Sequence, residues 1–180
     1  MAGVEFAILD FIQTHMRSGI GDVLMPAISA LGNVGALWIL LGVLALLSKK
    51  HRKTGILILG ALIIDLLLCN VLLKPLVARI RPCDVNTAVQ LLIPRPTDYS
   101  FPSGHTAAAF AAVTAMYLAK ERYWYWLLVP AILIAFSRLY LYVHYPTDIL
   151  GGILVGILSA VLAYLCFTRV QGRFAFTRKL

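Results

Sequence analysis

Three stretches of the chain hold residue types that do proton and anion chemistry: Lys74 with Arg81 and Pro82; Pro102, Ser103, Gly104 and His105; and Ser137 and Arg138 with His144 and Asp148. Each stretch alone has a plain structural reading. Lys74 and Arg81 suit interfacial anchors, residues 102–105 a helix start, and residues 144–148 a capped helix start. Arg138 is harder to place that way. It sits inside an apolar run, about 9 Å along the axis from His144 if the intervening stretch is helical. A cation inside a span usually faces a polar cavity and a partner.

The elements that must position these groups are membrane spans. Of 180 residues, 61% are hydrophobic and 13% charged, and the mean hydropathy is +0.86. That composition excludes an ordinary soluble globular domain. Each crossing needs roughly 20 apolar residues, so the expected fold is an all-α integral membrane bundle of about five, at most six, transmembrane helices. One domain over residues 1–180 is expected. Within residues 1–22, Val4, Ala7, Ile8, Phe11 and Ile12 fall at helical spacing with Glu5, Asp10, Gln13 and His15 elsewhere around the turn, which predicts an interfacial amphipathic helix. Spans are expected within residues 24–47, 55–73, 105–119, 123–143 and 148–167. Residues 74–103 form the longest polar loop, in which Pro94 and Pro96 prevent a long helix.

The formal charge of +8 does not point to nucleic acid, because the Lys and Arg residues cluster at the ends of apolar runs. The run Lys49, Lys50, His51, Arg52, Lys53, the turn holding Lys120 and Arg122, and the tail from Arg169 to Lys179 fall on one side of a five-span alternation. By charge that side is cytoplasmic. Lys74, Arg81, Ser103, His105, His144 and Asp148 then all emerge on the opposite side. Cys69 and Cys166 lie in apolar runs as small apolar residues, and Cys83, beside Pro82, reads as structural. Glu5 and Asp10, with no basic stretch ahead of them, do not read as a cleavable signal.

The three stretches match the ordered signature of the type-2 phosphatidic acid phosphatase family, and the chain resembles that family over residues 74–148. The signature reads Lys, six residues, Arg-Pro; Pro-Ser-Gly-His; then Ser-Arg, five residues, His, three residues, Asp. The resemblance implies a metal-independent, cofactor-free hydrolysis of a membrane lipid phosphate or diphosphate, such as a polyprenyl diphosphate, phosphatidylglycerol phosphate or phosphatidic acid. Lys74, Arg81 and Arg138 would neutralise the phosphate as a point charge and two planar forks. The Ser103 hydroxyl and the N–H groups of Gly104 and His105, at a helix start, would donate to the same oxygens. His144 would be the nucleophile, oriented by Asp148, and His105 the general acid and then base. The resemblance implies an integral protein of a bacterial cytoplasmic membrane, and the charge topology places its site on the non-cytoplasmic face.

Other classes stand beside this one. A phosphotransferase would pass the phosphate to a lipid acceptor, and a lipid phosphate transporter would bind without chemistry, although no inverted repeat is evident. Two histidines with one Asp could hold zinc, but three neighbouring cations make that a poor divalent site. Asp65 lies mid-span, with Asn70 or neighbouring helices as its expected partners; Asn70, one turn before Lys74, is expected to orient it. Tyr140, Tyr142 and Tyr145 are expected to form an interfacial belt, and His15 and His51 to be bystanders.

Overall fold

The computed structural model describes residues 2–177, whose regular elements are all helical. Helix α1 (Ala2–Phe11) continues as a π-helical turn, Ile12–Met16. Ser18 caps α2 (Gly19–Leu31), its Oγ accepting from the Gly21 N–H at 3.1 Å. A short 3-10 turn, Asn33–Gly35, then leads to α3 (Ala36–Leu47), and the two helices meet at 47°. Val34 and Gly35 both adopt positive φ at this break. The chain returns through α4 (Arg52–Asp65), a π-helical stretch Leu66–Leu73, and α5 (Lys74–Val77). One further turn, α6 (Pro82–Val85), precedes an irregular loop over residues 86–103. Helix α7 (Gly104–Leu118), a 3-10 turn Trp124–Leu127 running into α8 (Leu128–Tyr140), and the long α9 (Pro146–Thr177) complete the fold.

Two helical stretches, Arg52–Val85 and Pro146–Gln171, are long and apolar enough to cross a membrane, and the bent α2–α3 pair makes a third. Their outer faces present Leu44, Leu67, Leu72, Leu154 and Leu158 to the surroundings, as a bilayer requires. The core is built around α7, whose Ala107, Ala108, Ala111 and Ala112 let α4 and α9 approach closely. A Cβ on Gly152 would stand 2.7 Å from the Ser103 carbonyl oxygen, and one on Gly156 would stand 2.3 Å from that of Ala107. Only glycine admits this seam. It locks the first turn of α9, with Asp148, against the first turn of α7, with His105. At the opposite, lysine-rich end, Glu121 accepts from Thr54 and pairs with His51 at 2.8 Å, so His51 is a structural tie between turns.

Two expectations are corrected. Tyr140, Tyr142 and Tyr145 form no belt: all three are buried, Tyr142 and Tyr145 against α1 and Tyr140 against the start of α2. Tyr142 donates to Asp10 at 2.7 Å, Tyr140 to Asp22 at 2.8 Å, and Phe6 meets the Tyr145 ring edge-on. The α8 helix also stops at Tyr140, and residues 141–144 turn back, so Arg138 and His144 are not stacked along one axis. On α1, Glu5, Leu9 and Ile12 face inward while Val4, Ile8 and Phe11 are exposed. His15 stacks on Phe11 at the surface. Of the basic tail, Lys179 lies outside the described residues.

Candidate active site

Lys74, at the start of α5 where the π-helical stretch ends, and Arg81, just before α6, are both buried and face a pocket of about 530 Å³. Gly104, His105, Arg138 and His144 line the same pocket. Asp148 and Ser103 do not; they sit fully buried behind it. The Ser103 Oγ accepts from Thr106 Oγ1 at 3.0 Å, and its N–H donates to the Asp148 carbonyl at 3.1 Å.

The tautomer of His144 follows from its partners. Arg81 Nη1 lies 3.1 Å from His144 Nε2. A guanidinium has only donors, so Nε2 must be the unprotonated, lone-pair nitrogen. The proton therefore resides on Nδ1, which faces Asp148 Oδ2 at 3.4 Å. Asp148 is anchored in turn by Ser100 Oγ at 2.5 Å, the Tyr145 N–H at 2.8 Å and Arg79 Nη1 at 2.6 Å. Burial, followed by the charges of Arg81 and Arg138, holds the His144 imidazole well below its ordinary pKa against the opposing pull of Asp148. It is neutral, with its lone pair toward Arg81 on the wall of the pocket.

The cations have their own supports. Arg81 donates to the carbonyls of Val143 at 2.7 Å and Asp98 at 2.8 Å, and to Asp98 Oδ1 at 2.7 Å. Lys74 also pairs with Asp98. Arg138 donates to Ser29 Oγ, while its buried Nε has no partner. His105 Nε2 meets Asn33 Oδ1 at 2.9 Å across the α2–α3 break, and a Cβ on Gly32 would stand 2.7 Å from the imidazole. Asn70 lies against Gly104 rather than orienting Lys74.

Five contributors escaped the sequence reading: Asp98, Arg79, Ser100, Asn33 and Ser29. Their signal was weak, since Asn33 and Ser29 look like helix-break residues and the other three lie in or beside a loop without periodicity. Asp98 would have been the most findable, as an acid among clustered cations. Cys83 is buried and its thiol is pushed up, mainly by burial, which agrees with its structural reading. Among the described residues no group of three or more His, Cys, Asp or Glu side chains could hold a metal ion.

A second cavity, about 620 Å³, shares Lys74, Asp98, Gly104 and His105 with the first and continues between Ile39, Leu59, Leu62 and Leu66. Asp65 lines it, buried, with Oδ1 unpartnered; neither Asn70 nor a neighbouring helix satisfies that atom.

The described residues form an apolar helical bundle with a chamber lined by Lys74, Arg81, Arg95, Arg138 and two imidazoles, which defines a class of integral membrane protein with a site suited to an anion. The family model of the PAP2 superfamily matches residues 54–171, and the chain belongs to the PAP2 superfamily. It is 36% identical over 121 residues to an undecaprenyl-diphosphatase of Sulfolobus acidocaldarius, covering 66% of this chain and 58% of that one. The structure resembles that of Aquifex aeolicus LpxE, with a TM-score of 0.76 and 26% identity over 89% of this chain and 94% of that one. It also resembles a PAP2-type phosphatidylglycerolphosphate phosphatase from Bacillus subtilis, with a TM-score of 0.73 and 27% identity over 94% and 89% of the two chains. The matched stretch spans less than two thirds of the length of that curated relative.

Proposed function

We propose that this chain is a membrane lipid phosphatase that hydrolyses a lipid phosphate or diphosphate through a phosphohistidine on His144. The observation that carries the reading is His144 Nε2, unprotonated beside Arg81 on the wall of a pocket lined by four cations and backed by Asp148, next to an apolar cavity that shares Lys74, Asp98, Gly104 and His105 with it. His144 Nε2 attacks phosphorus as the bond to the lipid oxygen breaks, and His105 gives that oxygen its proton. His105 then takes a proton from water, whose oxygen attacks phosphorus and releases phosphate from Nε2. Lys74, Arg81 and Arg138, with the N–H groups of Gly104 and His105, stabilise the charge in transfer, and no metal takes part. The lipid chain lies in the apolar cavity and arrives sideways from the bilayer.

In this reading residues 1–180 form one transmembrane domain with five crossings: the bent α2–α3 pair, α4 through α5, α7, α8 with its leading 3-10 turn, and α9. Residues 1–22 lie at the interface, and residues 74–103 are the extracytoplasmic loop that supplies part of the site. The site faces away from the cytoplasm. The names of the relatives support a polyprenyl diphosphate or phosphatidylglycerol phosphate as the first substrates to try.

The test is phosphate release by purified protein in chelator, against a panel of lipid phosphates and diphosphates with no added acceptor. Wild type should release phosphate, and His144→Ala should lose at least a thousandfold while staying folded, about 4 kcal/mol of barrier. Full turnover by His144→Ala removes the nucleophile assignment. Phosphate release only on adding a lipid acceptor makes the protein a transferase.

A further inference from the structure

Asp148 faces more than His144. Its other oxygen, Oδ1, accepts from Arg79 Nη1 at 2.6 Å, and Arg79 Nη2 continues to Glu5 Oε2, also at 2.6 Å. Glu5 belongs to α1, outside the family-matched stretch, and is nonetheless buried. Its Oε1 accepts from Thr147 Oγ1 at 2.5 Å and from the Thr147 N–H at 3.3 Å, so it also satisfies the free first turn of α9. The Arg79 guanidinium lies 3.9 Å from the Tyr145 ring centroid and donates to Thr147 Oγ1 at 2.7 Å. Every partner of the Arg79 side chain thus belongs either to α1 or to the segment carrying the nucleophile.

A carboxylate kept this far from water needs a partner, and leaving either member alone costs several kcal/mol. Glu5 and Arg79 meet that need and add a charge relay. Arg79 draws electron density from Asp148, which weakens the pull of Asp148 on the Nδ1 proton. Glu5 opposes Arg79 and restores part of that pull. The other groups facing this pair are Arg81 and Arg138 on the lone-pair side of His144, His105, Lys74 and Asp98 across the pocket, and Ser100 and the Tyr145 N–H on Asp148. Of these, Ser100 touches Arg79 only through the backbone, its N–H donating to the Arg79 carbonyl at 2.8 Å.

We infer that Glu5 and Arg79 are positioning residues for the nucleophile, through which the amphipathic N-terminal helix sets the orientation and basicity of the His144–Asp148 pair. This rests on the phosphatase reading above. The signs are opposite for the two residues. Removing the Arg79 charge leaves Asp148 a stronger acceptor and makes His144 more basic. Removing the Glu5 charge leaves Arg79 unopposed and makes His144 less basic.

The experiment is the acid limb of kcat/KM, which reports the free enzyme, for the full-length detergent-purified chain. Arg79→Gln should move the limb up by about half a pH unit and Glu5→Gln should move it down by a similar amount, since a neighbouring charge shifts a pKa on that scale. Both should lower kcat several-fold with little change in KM. Arg79→Lys keeps the charge and should return the limb most of the way. Glu5→Gln is isosteric, so it carries the test alone if Arg79→Gln does not fold. A limb unmoved in Glu5→Gln, or moved in the same direction in both variants, overturns the inference. Wild type and His144→Ala run beside them: inactive wild type, or active His144→Ala, defeats the phosphatase reading itself, whereas a normal pair with unmoved limbs defeats only the relay.

Discussion

Asp98 takes, on Lys74 and Arg81, coordination that a phosphate oxygen could occupy, so the resting pocket holds a carboxylate against two of the four cations that line it. Burial alone would raise its pKa, but Lys74 and Arg81 hold it well below the usual carboxylate range, so it stays ionised wherever the protein works. An incoming anion must therefore displace Asp98 or tolerate it as a like-charged neighbour. Replacing Asp98 by Asn should tighten inhibition by orthovanadate about tenfold, the worth of roughly 1.4 kcal/mol; unchanged or weaker inhibition would show that Asp98 organises the cations instead. His144 gives a second residue-level outcome. Its lowered pKa keeps it neutral as pH falls through the ordinary histidine range near 6.5. Protonation, which removes the lone pair, comes later. The acid limb of kcat/KM in wild type should accordingly lie below about 6, and a limb at 6.5 or above would mean that burial does not govern this imidazole.

At the scale of elements, the α7–α9 seam holds the two histidines in register. Ala107 and Ala111 give their backbones to Gly156, so Gly156→Ala must push two helices apart. Such overpacking costs on the order of 1–3 kcal/mol. Gly60 is the internal control, because its added Cβ would meet only Ala163 Cβ at an ordinary 3.7 Å. Thermal unfolding in detergent should show a lower midpoint for Gly156→Ala and little change for Gly60→Ala; equal midpoints would mean that the seam gives way cheaply. Lys74, Arg81, His105, Arg138 and His144 are legible from their motif spacing. What stayed illegible depends on α1 and on residues 86–103. Glu5 reaches Thr147 across most of the chain, and no local pattern encodes that placement. The buried tyrosines were misread for the same reason: an exposed belt and a set covered by α1 and the start of α2 have the same sequence.

At the scale of the whole molecule, the alternation of helices puts the lysine-rich turns at one end and the chamber at the other. With Cys166, the exposed cysteine, replaced by Ser, Ala88→Cys should react with an impermeant thiol reagent on intact cells, and Lys50→Cys only after permeabilisation. The reverse pattern would invert the orientation. Among the described residues, Asp65 Oδ1 and Arg138 Nε are buried side-chain atoms lining the two cavities that lack a partner. The two cavities that meet at Lys74, Gly104 and His105 carry a last consequence. The first is lined by Lys74, Arg81, Arg95 and Arg138, and the second continues from Lys74 and Asp98 between Leu59, Leu62 and Leu66. If the chain is the lipid phosphatase proposed above, the two products would have separate ways out: the dephosphorylated lipid along the leucine-lined cavity, inorganic phosphate through the charged one. Neither would have to wait for the other, and accumulation of one would not obstruct the path of its partner.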